Sequence, residues 1–380
     1  MMPGSMVAPL DLSALSPPAR KALSADAPAP LRSMAAKGIL PGAKPADLLT
    51  VVALLTLDAE HSIAAVALET LHKLPLPMLE TALQSGLQAS PCAVLAERFA
   101  TDAAIVERLL RQPALPRESL ELLAAQADEA RGELIATNEE RLLSNPTVIE
   151  KLYMNRLVRM STSTRLIELA VRNGLKLALP AFEEAAAAIL QELIPEASAE
   201  SSPADELFRE VDQLAQTTEI QPEDDTHDVD DEGKEQLKAK FKPLYAQLDQ
   251  MTVTEKIRRA TLGTSAERLL LVRSSNRLVS SAAAKSPLMR DSDAITISAS
   301  RSVSEEVLRI IARNRDLTRS YQVKLNLVIN PRTPFTFASG YIPLLRDNDL
   351  RMLAKSKNVP SAVNQAARRQ IMRKQGKTKS

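Results

Sequence analysis

The sequence predicts an all-α protein, an irregular α-solenoid in two blocks joined by an acidic, disordered linker. Three observations carry that reading. Segments of about 10 to 15 residues, apolar at every third or fourth position, are separated again and again by a proline or a small polar cluster. Among 380 residues there are 24 prolines and only 10 glycines. That is too few glycines for tight hairpins or phosphate-cradling loops, and it suits short helices with sharp breaks. Aromatic residues make up 3% and tryptophan is absent, so Ala and Leu must fill the core.

In chain order, residues 1–28 are rich in Ala, Pro and Ser, have few large apolar groups, and are expected to form a disordered arm. A first helical block spans 29–195. Within it SIAAVALETLHKL sets Ile63, Val66, Ala67, Leu71 and Leu74 at spacings of three and four, one face of a helix. Further helices are expected after the joints at Pro75, Pro91, Pro113 and Pro146, and Ser161 to Thr164 supply hydroxyl N-caps where proline is missing.

Residues 196–233 form the linker. Between Glu196 and Glu232 there are 14 acids against one base, Arg209, and mutual repulsion opposes collapse. Inside it, ADELFREVDQLAQ puts Leu207, Phe208, Val211 and Leu214 at helical spacing. These residues fit an amphipathic helix that docks on a partner or on the protein's own groove, and equally one that caps a helical block. The second block spans 234–380, with joints at Pro287, Asn314, Pro331 and Pro360.

The joint LVINPRTPFTFASGYIPLL, Leu327 to Leu345, is the most explicit. Proline lacks an amide proton and pushes its predecessor out of the α region, so Asn330-Pro331 should end one helix and Thr333-Pro334 open the next. With this cap at Asn330, Pro331, Thr333 and Pro334, residues 310–345 resemble the HEAT-like repeats and the related leucine-rich-variant repeats. The resemblance implies a curved stack of helices that binds something extended. It implies no catalytic residue.

Composition and motifs exclude several chemistries. One cysteine, Cys92, and three scattered histidines cannot build a zinc site, and Cys92 is expected to be a buried structural thiol. The lone thiol, with no secretory leader in the first residues and no apolar run of membrane length, predicts a cytoplasmic protein without a membrane partner. No nucleophile elbow, nucleotide loop or paired carboxylates stand out. The chain is therefore expected to be no enzyme and to need no cofactor.

Charge is the strongest functional signal. Residues 234–380 hold 29 Lys and Arg against 11 Asp and Glu, a balance of +18. Arg309 and Arg313, then Arg315 and Arg319, are four apart, which places each pair on one helix face. Arg346, Arg351, Lys355, Lys357, Arg368, Arg369, Arg373 and Lys374 follow. The first expectation is a cytoplasmic scaffold or adaptor whose grooves bind protein partners. The alternative is sequence-independent binding of nucleic-acid phosphates by the basic block, modulated by self-contact with the acidic linker. The same cations also fit a solvated basic surface.

Overall fold

A computed structural model describes residues 10–190, 201–218, 220–221, 224–230 and 234–377. The described residues are overwhelmingly helical, and their only strands form one two-stranded hairpin. The chain divides into two compact units, one ending at Leu166 and the other starting at Ile167.

The first unit contains α1 (Pro17–Ala22), α2 (Ala29–Ala36), α3 (Pro45–Leu55), α4 (His61–Lys73), α5 (Leu76–Gln84), α6 (Ala89–Arg98), α7 (Ala103–Leu110), α8 (Arg117–Ala125), α9 (Glu129–Ala136), α10 (Glu139–Ser144) and α11 (Pro146–Met154). The division falls inside α12 (Met160–Arg172). The second unit contains α13 (Phe182–Ile189), α14 (Pro203–Thr217) and the antiparallel strands β1 (His227–Val229) and β2 (Glu235–Leu237), with Asp228 opposite Gln236. It continues with α15 (Lys242–Gln250), α16 (Val253–Leu262), α17 (Ser265–Leu271), α18 (Arg277–Ala284), α19 (Asp291–Ala299), α20 (Glu305–Arg313), α21 (Tyr321–Ile329), α22 (Phe335–Tyr341), α23 (Asp347–Lys355) and α24 (Ser361–Lys377).

Prolines set the joints. Pro146 occupies the first position of α11, where its missing amide proton costs nothing, and Pro287 and Pro331 lie in turns between helices. Asn330 ends α21 and Pro334 caps α22, as the Leu327–Leu345 joint predicts. Short helices of this kind bury a stripe of small and branched side chains. One cluster gathers Ala19, Ala22, Ala35, Ala36, Val51 and Leu55, and another gathers Val328, Ile342, Leu350, Leu353, Val363 and Ala367.

In each unit, helices pack on the helix two further along. In the first, α2 meets α4, α3 meets α5, α5 meets α7 and α7 meets α9. In the second, α16 meets α18, α17 meets α19, α18 meets α20, α19 meets α21 and α22 meets α24. Polar side chains tie these layers. The Asn155 amide donates to the carbonyls of Ala124 and Ala127 at the end of α8, and the buried Asn330 amide donates to those of Ser298 and Ser300 after α19, at 2.9 and 2.7 Å. Asn364 does the same for Leu353 and Ser356 at the end of α23. The last carbonyls of a helix have no intrahelical donor, so one asparagine satisfies two of them and fixes the stacking.

Four expectations are corrected. Residues 10–28 of the predicted arm are structured. Ala19 and Ala22 of α1 are small enough to enter the first core, and the Arg20 guanidinium gathers the carbonyls of Leu12, Ser13 and Leu15. Residues 1–9 lie outside the described set. Ser161 to Thr164 sit inside α12 rather than ahead of it: the Ser163 and Thr164 hydroxyls donate to the carbonyls of Arg159 and Met160 instead of accepting from amides.

The described part of the predicted linker is also ordered, as α14 and β1. A capping box between Ser202 and Asp205 starts α14, while Phe208, Val211 and Ala215 bury its apolar face. Asp212, Asp225 and Asp224 there meet Arg259, Arg273 and Lys238, which offsets the repulsion that argued for disorder. Residues 196–200, 219, 222–223 and 231–233 lie outside the described set. Finally, the compact unit containing the basic block begins at Ile167, not 234: α13 packs on α16 and α18, burying Ala185, Ala188 and Ile189, and Glu184 receives the Lys285 ammonium at 2.7 Å.

Candidate binding face

The basic candidates fall into three sets. Arg309 is spent on Glu305 and Glu306, Arg319 pairs with exposed Asp316, and the Lys374 ammonium reaches Asp347 at 2.7 Å and the Leu345 carbonyl. Arg313 lies over Phe337 at 5.7 Å, Arg346 over Tyr321 at 4.5 Å, and Arg368 donates to the Ala354 carbonyl. Arg315, Arg351, Lys355, Lys357, Arg369 and Arg373 are exposed and form no ion pair among the described residues. The expected shared face of Arg315 and Arg319 is not formed. Asn314 ends α20, its side-chain Oδ1 accepts from the Asp316 and Leu317 amides, and Arg319 belongs to a separate 3-10 turn, Leu317–Arg319.

The sequence of α24 holds five basic residues, Arg368, Arg369, Arg373, Lys374 and Lys377, and no acid. Its first half is anchored by Val363 and Ala367 in the core shared with α23. On its other flank α24 meets α22, and between them runs an open cleft of about 490 Å³. Ile342 and Ala366 line it together with Phe335, 46% exposed, and Met372, 70% exposed. Arg369 and Arg373, one helical turn apart, line the same cleft. The helix α22, FTFASGY, contributes no charge, so the described walls are cationic and uncompensated.

The acidic segment does not lie on those free cations. Its docking site is a buried polar cluster around α16 and α17. Phe208 of α14 sits 5.1 Å from the Arg258 guanidinium and 4.8 Å from that of Arg259, both fully buried. Arg259 also donates to Asp212 of α14 at 2.7 Å and to Glu267 at 2.6 Å. Burial works against its charge, but these two carboxylates raise its pKa further. Beside it, Arg268 donates to Asp293 at 2.8 and 3.1 Å and to the Gly263 carbonyl. A Cβ at position 263 would come within 2.4 Å of the Arg259 carbonyl oxygen and 2.7 Å of Glu267 Oε2, so only glycine fits that turn. Of the four linker positions singled out by spacing, Phe208 and Val211 are buried in this docking and Leu207 and Leu214 are half-buried at its edge.

The hairpin is pinned separately. The Glu235 carboxylate accepts from the hydroxyls of Ser300 and Ser302 at 2.8 and 2.6 Å, from the Arg301 amide at 2.7 Å and from Arg273 at 3.0 Å. Burial alone would raise its pKa, but the two hydroxyls and the guanidinium outweigh it and bring the group down to about 2. Arg273 bonds Asp225 as well, and Lys238 bonds Asp224, each at 2.6 Å. Sequence spacing did not single out Arg258, Arg259, Arg268 or Glu235. The signal available was the apposition of Glu267 and Arg259 eight residues apart around a glycine.

Cys92 is fully buried, and burial pushes its thiol up to about 12, which leaves no nucleophilic thiolate. Among the described residues no three His, Cys, Asp or Glu side chains are placed to hold a metal ion. No helix among them is long and apolar enough to cross a membrane. No family model matches the chain, and neither the curated proteins nor the solved structures yield a match.

Proposed function

We propose that this chain is an irregular α-solenoid of the HEAT-like kind and acts as a non-enzymatic scaffold or adaptor that binds protein partners through a groove. Support for the repeat reading comes from helices packing on their second neighbours and from side-chain bonds that recur at separations of 25 to 32 residues. A cytoplasmic location is part of the same proposal and rests on the lone buried thiol.

The observation that carries the binding role is the cleft between α22 and α24. A half-exposed Phe beside a largely exposed Met over a concave surface, with two arginines at its edge, fits the apolar patch with a polar rim of an interaction site. The test is a photo-reactive phenylalanine analogue placed at position 335 of the full chain, with position 157, an exposed leucine elsewhere, as control. Discrete protein adducts from 335 that are absent from 157 support the groove. The same adduct pattern from both positions refutes it.

A second reading, phosphate-backbone binding, is favoured by one specific observation: six exposed cations without ion pairs among the described residues, two of them on a helix that carries no acid. Neutralising each phosphate steepens the salt dependence by about 0.9 log units. Full-chain binding to a generic duplex that falls steeply with salt, and weakens on Arg351→Gln with Lys355→Gln, supports this reading. Salt-independent or absent retention removes it.

A further inference from the structure

We infer that the α22/α24 groove recognises an acidic amphipathic helix carrying an apolar or aromatic anchor, supplied by a partner protein. This rests on the groove reading above and adds the chemistry of the occupant. Charge complementarity sets the sign. Arg369 and Arg373 line the cleft one turn apart, and neither forms an ion pair among the described residues. The helix behind them carries no acid in its sequence, and α22 in front is uncharged. An occupant without anionic groups would bury two guanidiniums uncompensated, which costs more than the apolar contacts return.

The floor sets the rest. Phe335, Met372 and the half-buried Ala366 offer an apolar trough over buried Ile342, and Met adapts its shape to varied anchors. A polyphosphate backbone satisfies the arginines and leaves that trough wet. An amphipathic helix with carboxylates one turn from its apolar stripe satisfies both.

The chain already uses this recognition chemistry once. Helix α14, with Asp205, Glu206, Glu210 and Asp212 against the single Arg209, sets Phe208 against the guanidiniums of Arg258 and Arg259 and its Asp212 onto Arg259. A fluorescent peptide of residues 201–218 is therefore a suitable probe. It is titrated into the full chain by polarisation beside a version with every Asp and Glu changed to the amide, and beside a 20-base-pair duplex.

The acidic peptide is expected to bind, to weaken between about 50 and 300 mM salt, and to lose about tenfold or more in Arg369→Glu with Arg373→Glu. Met372→Ser should cost it about threefold or more, and the amide peptide should bind about tenfold more weakly than its parent. All three changes lie on exposed side chains, so folding is retained. The milder Arg369→Gln with Arg373→Gln checks this by the same loss at an unchanged melting temperature.

If the amide peptide binds as well as the acidic one and only Met372→Ser weakens it, the groove reading stands and the acidic specificity is overturned. If no groove variant changes peptide binding, both fall. If the duplex binds with the same arginine dependence, is indifferent to Met372→Ser and is not displaced by peptide, the occupant is a phosphate backbone and the inference is overturned.

Discussion

Glu235 shows how much one side chain can fix. Its carboxyl collects two serine hydroxyls, a backbone amide and a guanidinium from residues 38 to 67 positions away, and it is held near 2 rather than 4.5. Because the folded value is depressed, its contribution is fully present above about pH 4.5 and is lost as pH falls toward 2. Glu235→Gln should cost about 2 to 3 kcal/mol at neutral pH, and its deficit against the parent chain should shrink through that window, as read by urea unfolding at each pH. A deficit that does not change with pH refutes this. Asn330→Ala leaves the Ser298 and Ser300 carbonyls without their donor. It should cost about 1 to 3 kcal/mol in the same measurement. At this scale Asn330 was legible in part: Asn-Pro announced the end of a helix, but a side chain reaching a carbonyl 32 residues back leaves no mark in local spacing. Glu235 left none at all, since its partners are the distant loop residues Ser300, Arg301 and Ser302 together with Arg273.

Helices were legible because their rules are local. Period, proline position and capping hydroxyls act within about one turn, so the joints at Pro146, Pro287 and Pro331 fall between helices or at a helix start as expected. The same locality misled at Arg315 and Arg319, where a four-residue spacing spans the Asn314 turn rather than a helix. It also misled in the acidic stretch, because a count of like charges ignores Arg259, Arg273 and Lys238 waiting across the fold. For α14, Phe208→Ala should cost about 3 to 5 kcal/mol by the loss of a buried ring and its two guanidinium contacts. Unchanged unfolding would mean that α14 is not docked. Gly263→Ala forces a Cβ against a backbone carbonyl that cannot retreat. It should lower the melting temperature by several degrees, about 2 kcal/mol or more, whereas Gly86→Ala, strained at φ +79° but with no atom within 4 Å, should cost about 1 kcal/mol.

At the scale of the molecule, the charge asymmetry read from sequence resolves into two uses. Part of the acidic stretch neutralises buried arginines inside its own unit, while Arg369, Arg373 and their neighbours stay exposed beside an open apolar trough. Composition told of the excess, not of its division, because pairing depends on which side chains the stacking brings together. The groove itself was not legible: Phe335 and Met372 are 37 residues apart, and no local spacing joins them. The most direct test of the binding role is amide hydrogen exchange over the full chain, with and without saturating 201–218 peptide. Protection should rise in Phe335–Leu345 and Ser361–Lys374 and leave α16 and α17 unchanged. Protection rising at α16 and α17 instead, or at neither place, would contradict a binding face between α22 and α24.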